Sequence, residues 1–266
     1  VGFPNLKTLR INMCDLKSIW LNQMTPNSFP KLKAVFFEDC KGFDYVFPIS
    51  VAKELRQLEY LEINQCAIKN IVEESDCYDM THVCLENLFV RNCHNMNSIV
   101  QSFVLFEALD ELEVFCCNGV VNIMTPSMAK SLPKLQILRI SECDKLEEIY
   151  GSKNENGAPH GEIVFMKLKD LTLKHLPRLT SFCQGSYNFY FQLLQMVELD
   201  NCPTMETFCH GKLTTPRLKK VLCGGREEHC NGDLNTMIRT IFTKKVMNSS
   251  TKLHDHNSNS YSTFCI

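Results

Sequence analysis

The sequence predicts an α/β solenoid, a right-handed horseshoe of about nine repeats with a parallel concave sheet and short helical or irregular convex segments. Three observations lead to this fold class. A block of apolar residues returns about every 26 residues, each block contains the alternation of a short strand, and a cysteine follows at a fixed distance. Because the pattern keeps its phase over about 200 residues, it indicates stacked copies of one structural unit.

The repeating frame is L-x-x-L-x-L-x-x-C-x-x-L-x-x-I, with other large apolar residues replacing Leu and Ile in many copies. Eight copies and a partial ninth begin at Leu6, Leu32, Leu58, Leu85, Leu109, Leu135, Leu168, Leu194 and Leu218. Successive copies start 24 to 27 residues apart, except for one step of 33 residues. This spacing, with Cys at the ninth position, is the leucine-rich-repeat signature.

Each repeat is predicted to contribute one strand and one inward-facing ladder residue. Both apolar residues of the L-x-L core face inward because strand residues alternate between the two faces of a sheet. The ninth side chain turns inward where the chain leaves the strand, and there it meets backbone groups that cannot stay unpaired when buried. A thiol suits this position because it is small, apolar enough to bury and a weak donor. We expect a structural cysteine ladder at Cys14, Cys40, Cys66, Cys93, Cys117, Cys143 and Cys202, with Leu176 in the seventh copy.

The repeat frame divides the chain into three segments. Residues 1–225 are predicted to form the solenoid, and the long step places a polar insertion loop at 151–161. After Val221 the frame fades, and residues 226–247 are predicted to form a C-terminal capping helix, which the open end of a solenoid needs. Residues 248–266 are rich in Ser, Asn, Thr and His and are predicted to be a disordered tail.

The composition restricts the classes of function and the compartment. The 28 basic and 30 acidic side chains give a formal net charge of −2, which argues against a general binder of nucleic acid or anionic membranes. The chain starts at Val1 without a signal-peptide pattern, and it has no apolar run long enough for a membrane span. We therefore expect a fragment or processed product in the reducing cytoplasm, where the 15 cysteines remain thiols. The parallel Cβ vectors of stacked ladder cysteines also oppose disulfide bonds.

The sequence shows no pattern of catalytic or cofactor chemistry. Eight cysteines lie outside the ladder, at Cys77, Cys84, Cys116, Cys183, Cys209, Cys223, Cys230 and Cys265. Because no C-x-x-C pair occurs, the group of Cys77, His82 and Cys84 and a similar group around His229 are interpreted as polar loops rather than metal sites. Neither a Cys/His catalytic signature nor a phosphate-binding G-x-x-x-x-G-K-[ST] loop is present. We expect no catalytic residue, metal, cofactor or nucleotide site, and hence no enzyme activity.

The outward positions of the strands predict the binding surface. In a solenoid these side chains line the concave face, the usual site of partner binding. Adjacent parallel strands lie about 4.8 Å apart, so outward residues of neighbouring copies share one patch. Aromatic and Arg side chains are the residues most enriched among binding hot spots. The predicted partner-binding residues are Phe36, Tyr60, Glu62, Phe89, Arg91, Glu111, Glu113, Phe115 and Arg139.

The charge of this patch predicts the charge of the partner's contact surface. The carboxylates of Glu62, Glu111 and Glu113 beside the aromatic rings favour a protein partner with basic residues. A second interpretation stays open, in which the rings pack on one another or on a neighbouring domain of the same protein.

Several phrases are more specific than the general repeat. They are Phe29-Pro30-Lys31-Leu32-Lys33, the whole copy from Leu135 to Ile149, Cys202-Pro203-Thr204-Met205-Glu206-Thr207-Phe208 and Thr215-Pro216-Arg217-Leu218-Lys219-Lys220-Val221. Together they resemble the C-terminal repeat region of plant coiled-coil nucleotide-binding leucine-rich-repeat (CC-NBS-LRR) disease-resistance proteins, from Val1 to about Lys245. The resemblance implies a module that recognises a pathogen effector or a guarded host protein, or that contacts the receptor's own nucleotide-binding domain. The family's phosphate-binding loop is missing here, so the resemblance does not extend to nucleotide binding by this chain.

An alternative function is the substrate-binding repeat region of an F-box-type ubiquitin-ligase adaptor, which also uses Cys-containing repeats. Such repeats usually carry an Ile-Thr-Asp phrase after the cysteine and keep a steadier 26-residue step, and neither property holds here. An extracellular repeat receptor would carry an Asn-x-Leu-x-Gly-x-Ile-Pro phrase, which is also missing. We therefore interpret the chain as the protein-recognition module of a plant intracellular immune receptor.

Overall fold

The computed structural model describes residues 2–16, 19–20, 28–74, 80–99, 104–124, 132–151, 161–228, 233–241 and 243. The insertion at 152–160 and the tail at 248–266 lie outside the described residues. The strands in chain order are β1 Thr8–Asn12, β2 Ala34–Glu38, β3 Tyr45–Phe47, β4 Tyr60–Asn64, β5 Asn70–Val72, β6 Thr81–His82, β7 Asn87–Arg91, β8 Val104–Leu105, β9 Glu111–Phe115, β10 Ile137–Ser141, β11 Glu162–Phe165, β12 Asp170–Lys174, β13 Asn188–Phe191, β14 Met196–Asp200, β15 Leu213–Thr214, β16 Lys220–Cys223 and β17 Arg226–Glu228. Helix α1 spans Ile49–Glu54, and residues 234–241 form a C-terminal helix.

One long sheet contains a strand from every repeat. Its order is β1-β2-β4-β7-β9-β10-β12-β14-β16-β17, and every pairing is parallel except the last. The register pairs each residue with its equivalent one repeat later, so that Thr8, Ala34 and Tyr60 lie side by side. Smaller sheets, β3-β5, β6-β8 and β11-β13-β15, run along another side of the solenoid. The parallel-sheet solenoid confirms the predicted fold class.

The core lies behind the main sheet and follows the predicted alternation. From β4 to β14, the second and fourth residues of each main-sheet strand are buried and the others are half-buried. Stacked and edge-on Phe rings widen the core of the later repeats, at Phe165, Phe182, Phe189, Phe191 and Phe208. Burying each such side chain contributes about 1.5–3 kcal/mol.

A left-handed residue ends the strand segment of each of the first eight repeats. The residue before the ladder position has a φ between 47° and 56° at Met13, Asp39, Gln65, Asn92, Cys116, Glu142, His175 and Asn201. Its N–H still donates to the next strand, as from Gln65 to the carbonyl of Arg91 at 3.0 Å. The turn keeps the parallel hydrogen bonds and points the following side chain inward. In the ninth repeat Gly225 takes this conformation, with a φ of 75°.

The ladder thiols lie where the chain turns inward, and all of them but Cys14 are buried. Cys93 Sγ lies 3.2 Å from the carbonyl oxygen of Arg91 in its own repeat and 3.7 Å from that of Ile63 in the preceding one. The single S–H of this thiol thus has two backbone carbonyl oxygens as acceptors at the bend. Burial raises the pKa of Cys93 to about 11 and that of Cys143 to about 12, so both stay protonated at neutral pH.

A second pair of buried cysteines was not predicted. The backbones of Cys183 and Cys209 form a parallel β-bridge between neighbouring turns, and both thiols are free. Each thiol faces the carbonyl oxygen two residues later, that of Gly185 or Gly211. The signal is present in the sequence as two phrases 26 residues apart, Ser-Phe-Cys-x-Gly and Thr-Phe-Cys-x-Gly. These two off-ladder cysteines are therefore structural.

The two ends of the main sheet differ in whether another element of the described chain packs against them. The segment expected to be the capping helix begins instead with β17, which turns back antiparallel to β16, and it becomes helical at 234–241. Asn235 of that helix is buried, and its Oδ1 accepts hydrogen bonds from the N–H groups of Phe208 at 3.0 Å and Cys209 at 2.9 Å. At the other end, β1 pairs only with β2 among the described strands, and Leu9 and Ile11 stay partly exposed.

Candidate protein-binding face

The outer face of the main sheet consists of the first, third and fifth residues of its five-residue strands, which point away from the core. All nine predicted partner-binding residues lie on this face and are half-buried. They occupy consecutive strands from β2 to β10, in register. The structure therefore brings them together in one continuous surface.

Three aromatic rings form a connected row across this face. The ring centroids of Phe36 and Tyr60 are 5.1 Å apart, and those of Tyr60 and Phe89 are 5.3 Å apart. The Arg10 guanidinium lies over the Phe36 ring, 3.7 Å from its centroid, and extends the row to β1. Phe115 continues the surface on β9, where it pairs in register with Arg91. Ring contacts at these distances restrict the orientations that these side chains can adopt.

Arg91 links two carboxylates on either side of its strand. Its Nη1 lies 2.6 Å from Glu62 Oε1, and its Nε lies 2.7 Å from Glu113 Oε1. The Tyr60 hydroxyl donates to Glu62 Oε2 at 2.9 Å. Burial and the adjacent Glu62 carboxylate raise the pKa of Tyr60 to about 12, so the phenol remains a donor. The guanidinium also lies 5.0 Å from the Phe89 ring centroid, which joins the ionic and aromatic groups.

A second ion pair follows on the next strands, between Arg139 and Glu111. The three acids expected to favour a basic partner, Glu62, Glu111 and Glu113, thus each have an arginine of this chain as a partner. Their charges are largely compensated within the face. Arg10 was missed as a site residue, although it occupies the same repeat position as Phe36.

A shallow groove of about 360 Å³ lies away from this face, lined in part by His82, Cys84 and Glu107. His82 Nδ1 lies 3.6 Å from Glu107 Oε2, and both side chains are exposed. No three His, Cys, Asp or Glu side chains of the described residues converge as they would around a metal ion. Cys77 and His229, from the two Cys/His groups of the sequence, lie outside the described residues. Nor does the described part of the chain contain a helix long and apolar enough to cross a membrane.

Comparison with known proteins points to one group of plant proteins. Residues 1–67 and 85–212 match the family described as plant disease resistance protein RPS2-like, leucine-rich repeats. The chain is 22% identical over 129 residues to the probable disease resistance protein At4g27220 of Arabidopsis thaliana. That alignment covers 48% of this chain and 14% of the relative, so the chain spans a small part of the relative's length. No solved structure matches the chain.

Proposed function

Because the chain belongs to the family of RPS2-like plant disease resistance leucine-rich repeats, we propose that it is the protein-recognition module of a plant intracellular immune receptor. It binds a pathogen effector or a guarded host protein through the outer face of the main sheet, or it contacts the receptor's own nucleotide-binding domain there. Its role is recognition rather than catalysis, and its location is the cytoplasm.

The observation that carries this proposal is the ordered aromatic row from Phe36 to Phe89. Aromatic side chains at the centre of an interface commonly contribute most of its binding energy. Here the rings are half-exposed, yet they are held by one another and by Arg10 and Arg91. A surface that is already ordered loses little side-chain entropy on binding, which favours affinity.

The two candidate partners, a separate protein and the receptor's own nucleotide-binding domain, differ in identity but not in the surface that they contact. Both occupants use the same outer face, and both require the aromatic row to be accessible in the isolated chain. The match to a disease-resistance family supports these two functions over that of a ubiquitin-ligase adaptor.

Replacing Phe36, Phe89 and Phe115 by Ala tests the proposal. Wild-type chain and variant are used to capture proteins from extracts of healthy and infected leaves, and mass spectrometry quantifies what each retains. We expect at least one protein to be retained by the wild type and lost with the triple variant. A matched variant with Ala at Val164 and Met166, exposed apolar residues on and next to β11, should retain it. Circular dichroism establishes that all three chains are folded, and identical retention by the triple variant would contradict the proposal.

A further inference from the structure

The residue that precedes each parallel strand of the main sheet forms a separate row along one margin of the outer face. We call it the leading row, and its members are Lys7, Lys33, Glu59, Glu86, Asp110, Gln136, Lys169, Gln195 and Lys219. Register pairing of the strands places neighbouring members one strand apart. Charge along the row changes sign twice. It is basic at both ends and acidic on the three central strands β4, β7 and β9.

The three acids of the leading row differ in how far neighbouring side chains neutralise their negative charge. Glu59 pairs with Lys33 at 2.5 Å, and both side chains are nearly half-exposed. Asp110 accepts a hydrogen bond from the neutral amide of Gln136, which leaves its charge in place. Glu86 is exposed and forms no ion pair with any residue in the described part of the chain. Screened surface pairs of this kind contribute little and exchange readily for another partner.

The central strands therefore keep a negative charge although the acids of the outer face are paired. Six carboxylates lie here, Glu59, Glu62, Glu86, Asp110, Glu111 and Glu113, and three cations contact them, Lys33, Arg91 and Arg139. Among the described residues, the central strands therefore keep a net charge of −3. Within the described residues no three acids converge as a metal site requires, so the charge is spread along the margin rather than focused on an ion.

Two acids of the leading row lie close along the chain to residues of the aromatic row. Glu59 is adjacent in sequence to Tyr60, and Glu86 precedes Phe89 by three residues on the same strand segment. A partner that covers Tyr60 and Phe89 therefore brings its neighbouring side chains close to Glu59, Glu86 and Asp110. A basic segment gains from this arrangement, whereas an acidic one would be repelled.

We propose, on the basis of the function proposed above, that the partner contacts this face with a basic peptide segment in which at least two Lys or Arg residues flank an apolar anchor. The anchor packs on Tyr60 and Phe89, and the cations meet the acids of the leading row. Two strand spacings separate Glu59 from Asp110, about 10 Å in all. In an extended segment, cations two or four residues apart share a face and lie about 7 or 13 Å apart, which brackets that distance.

Selection from a random peptide library displayed on phage tests the proposal even while the natural partner is unidentified. The immobilised full chain selects peptides, and fluorescence polarisation measures the affinity of the most enriched one. We expect enriched sequences with two or more basic residues beside an aromatic or aliphatic residue. Their affinity should fall at least tenfold when Glu59→Gln, Glu86→Gln and Asp110→Asn are combined, and it should fall as the salt concentration is raised about tenfold from a low starting value. The control Glu206→Gln, an exposed acid away from the row, should bind as the wild type does.

The outcomes separate this inference from the proposed function. If the acid variant binds as tightly as the wild type, or if the enriched peptides carry no excess of basic residues, the inference is wrong. If the Phe36/Phe89/Phe115→Ala variant then still loses binding, the proposed function stands without it. If neither variant lowers the affinity, the peptides bind elsewhere and both proposals fail on this face.

Discussion

Arg91 on β7 and Glu113 on β9 meet across two neighbouring strands, with Nε and Oε1 2.7 Å apart. The same guanidinium holds Glu62 on the other side, so one side chain connects three strands of the outer face. The network fixes the orientation of groups on a surface that is otherwise open to solvent. Its role is therefore expected to lie in recognition more than in stability.

Arg91→Ala should lower partner or peptide affinity at least tenfold while lowering the free energy of unfolding by no more than about 1 kcal/mol. The loss of affinity follows because Glu62 and Glu113 are released and repel each other, and because Phe89 loses the guanidinium. Urea unfolding measures the stability, and polarisation measures the affinity. Arg91→Lys is the control, since it keeps the charge but cannot bind both carboxylates from a planar fork. A variant that binds normally and is destabilised by several kcal/mol would show that the network is structural.

Replacing a ladder cysteine by serine should lower the stability by an amount that depends on how deeply that cysteine is buried. Cys117→Ser should lower the free energy of unfolding by about 1–3 kcal/mol, because Cys117 is fully buried and a hydroxyl is costlier to bury than a thiol. Cys14→Ser occupies the same repeat position but is half-exposed, and it should cost less than about 0.5 kcal/mol. Urea unfolding of both variants gives the comparison. Equal costs would contradict the assignment of burial as the cause.

Alkaline pH should weaken the fold through the buried thiols. Burial raises the pKa of Cys143 and Cys183 to about 12, whereas an unfolded cysteine has a pKa of about 8.5. Above that value the unfolded chain binds fewer protons than the folded chain, so stability is full below about pH 8.5 and falls as pH rises towards 12. Between about pH 7.5 and 9.5 each such thiol should cost about 1 kcal/mol of unfolding free energy. Urea unfolding under reducing conditions measures the loss, which Cys143→Ala should reduce, and an unchanged pH dependence in that variant would refute the explanation.

The C-terminal helix should depend on Asn235. Asn235→Ala leaves the buried N–H groups of Phe208 and Cys209 without an acceptor, at a cost of about 1–3 kcal/mol for each group. Thermal unfolding should show a lowered midpoint, and amide exchange should accelerate in the last turns of the solenoid. Arg239→Ala is the matched control because that side chain is exposed on the same helix, and it should leave both measurements nearly unchanged. Equal effects of the two substitutions would contradict the capping role.

The sequence alone was sufficient for the one main-sheet strand of each repeat and for the face of the sheet on which each residue of that strand lies. Phe36 and Phe89 were placed on the outer face because period-two alternation and a constant repeat length fix both properties. The partners of the charged residues were not predictable in this way. Arg91 contacts both Glu113 and Glu62, and whether one guanidinium can reach both depends on rotamers of residues that lie 22 and 29 positions away along the chain.

Other features were missed because they are not part of the main repeat frame. Cys183 and Cys209 lie outside the ladder and are explained only by the turn that pairs them. The leading row precedes the strands, where alternation no longer tells which way a side chain points. The residues with left-handed backbone conformation before the ladder are of many types, including Met13, Cys116 and Asn201. The residue type therefore does not predict this conformation.

Hydroxyl-radical footprinting of the chain with its captured partner tests the central claim most directly, because Phe and Tyr rings report their own solvent access. The claim is that the partner covers the aromatic row of the outer face. We predict that oxidation of Phe36, Tyr60 and Phe89 falls on binding, while oxidation of the exposed Met166 does not change. Unchanged oxidation of the three rings, with protection of Met166 instead, would place the partner elsewhere and contradict the claim.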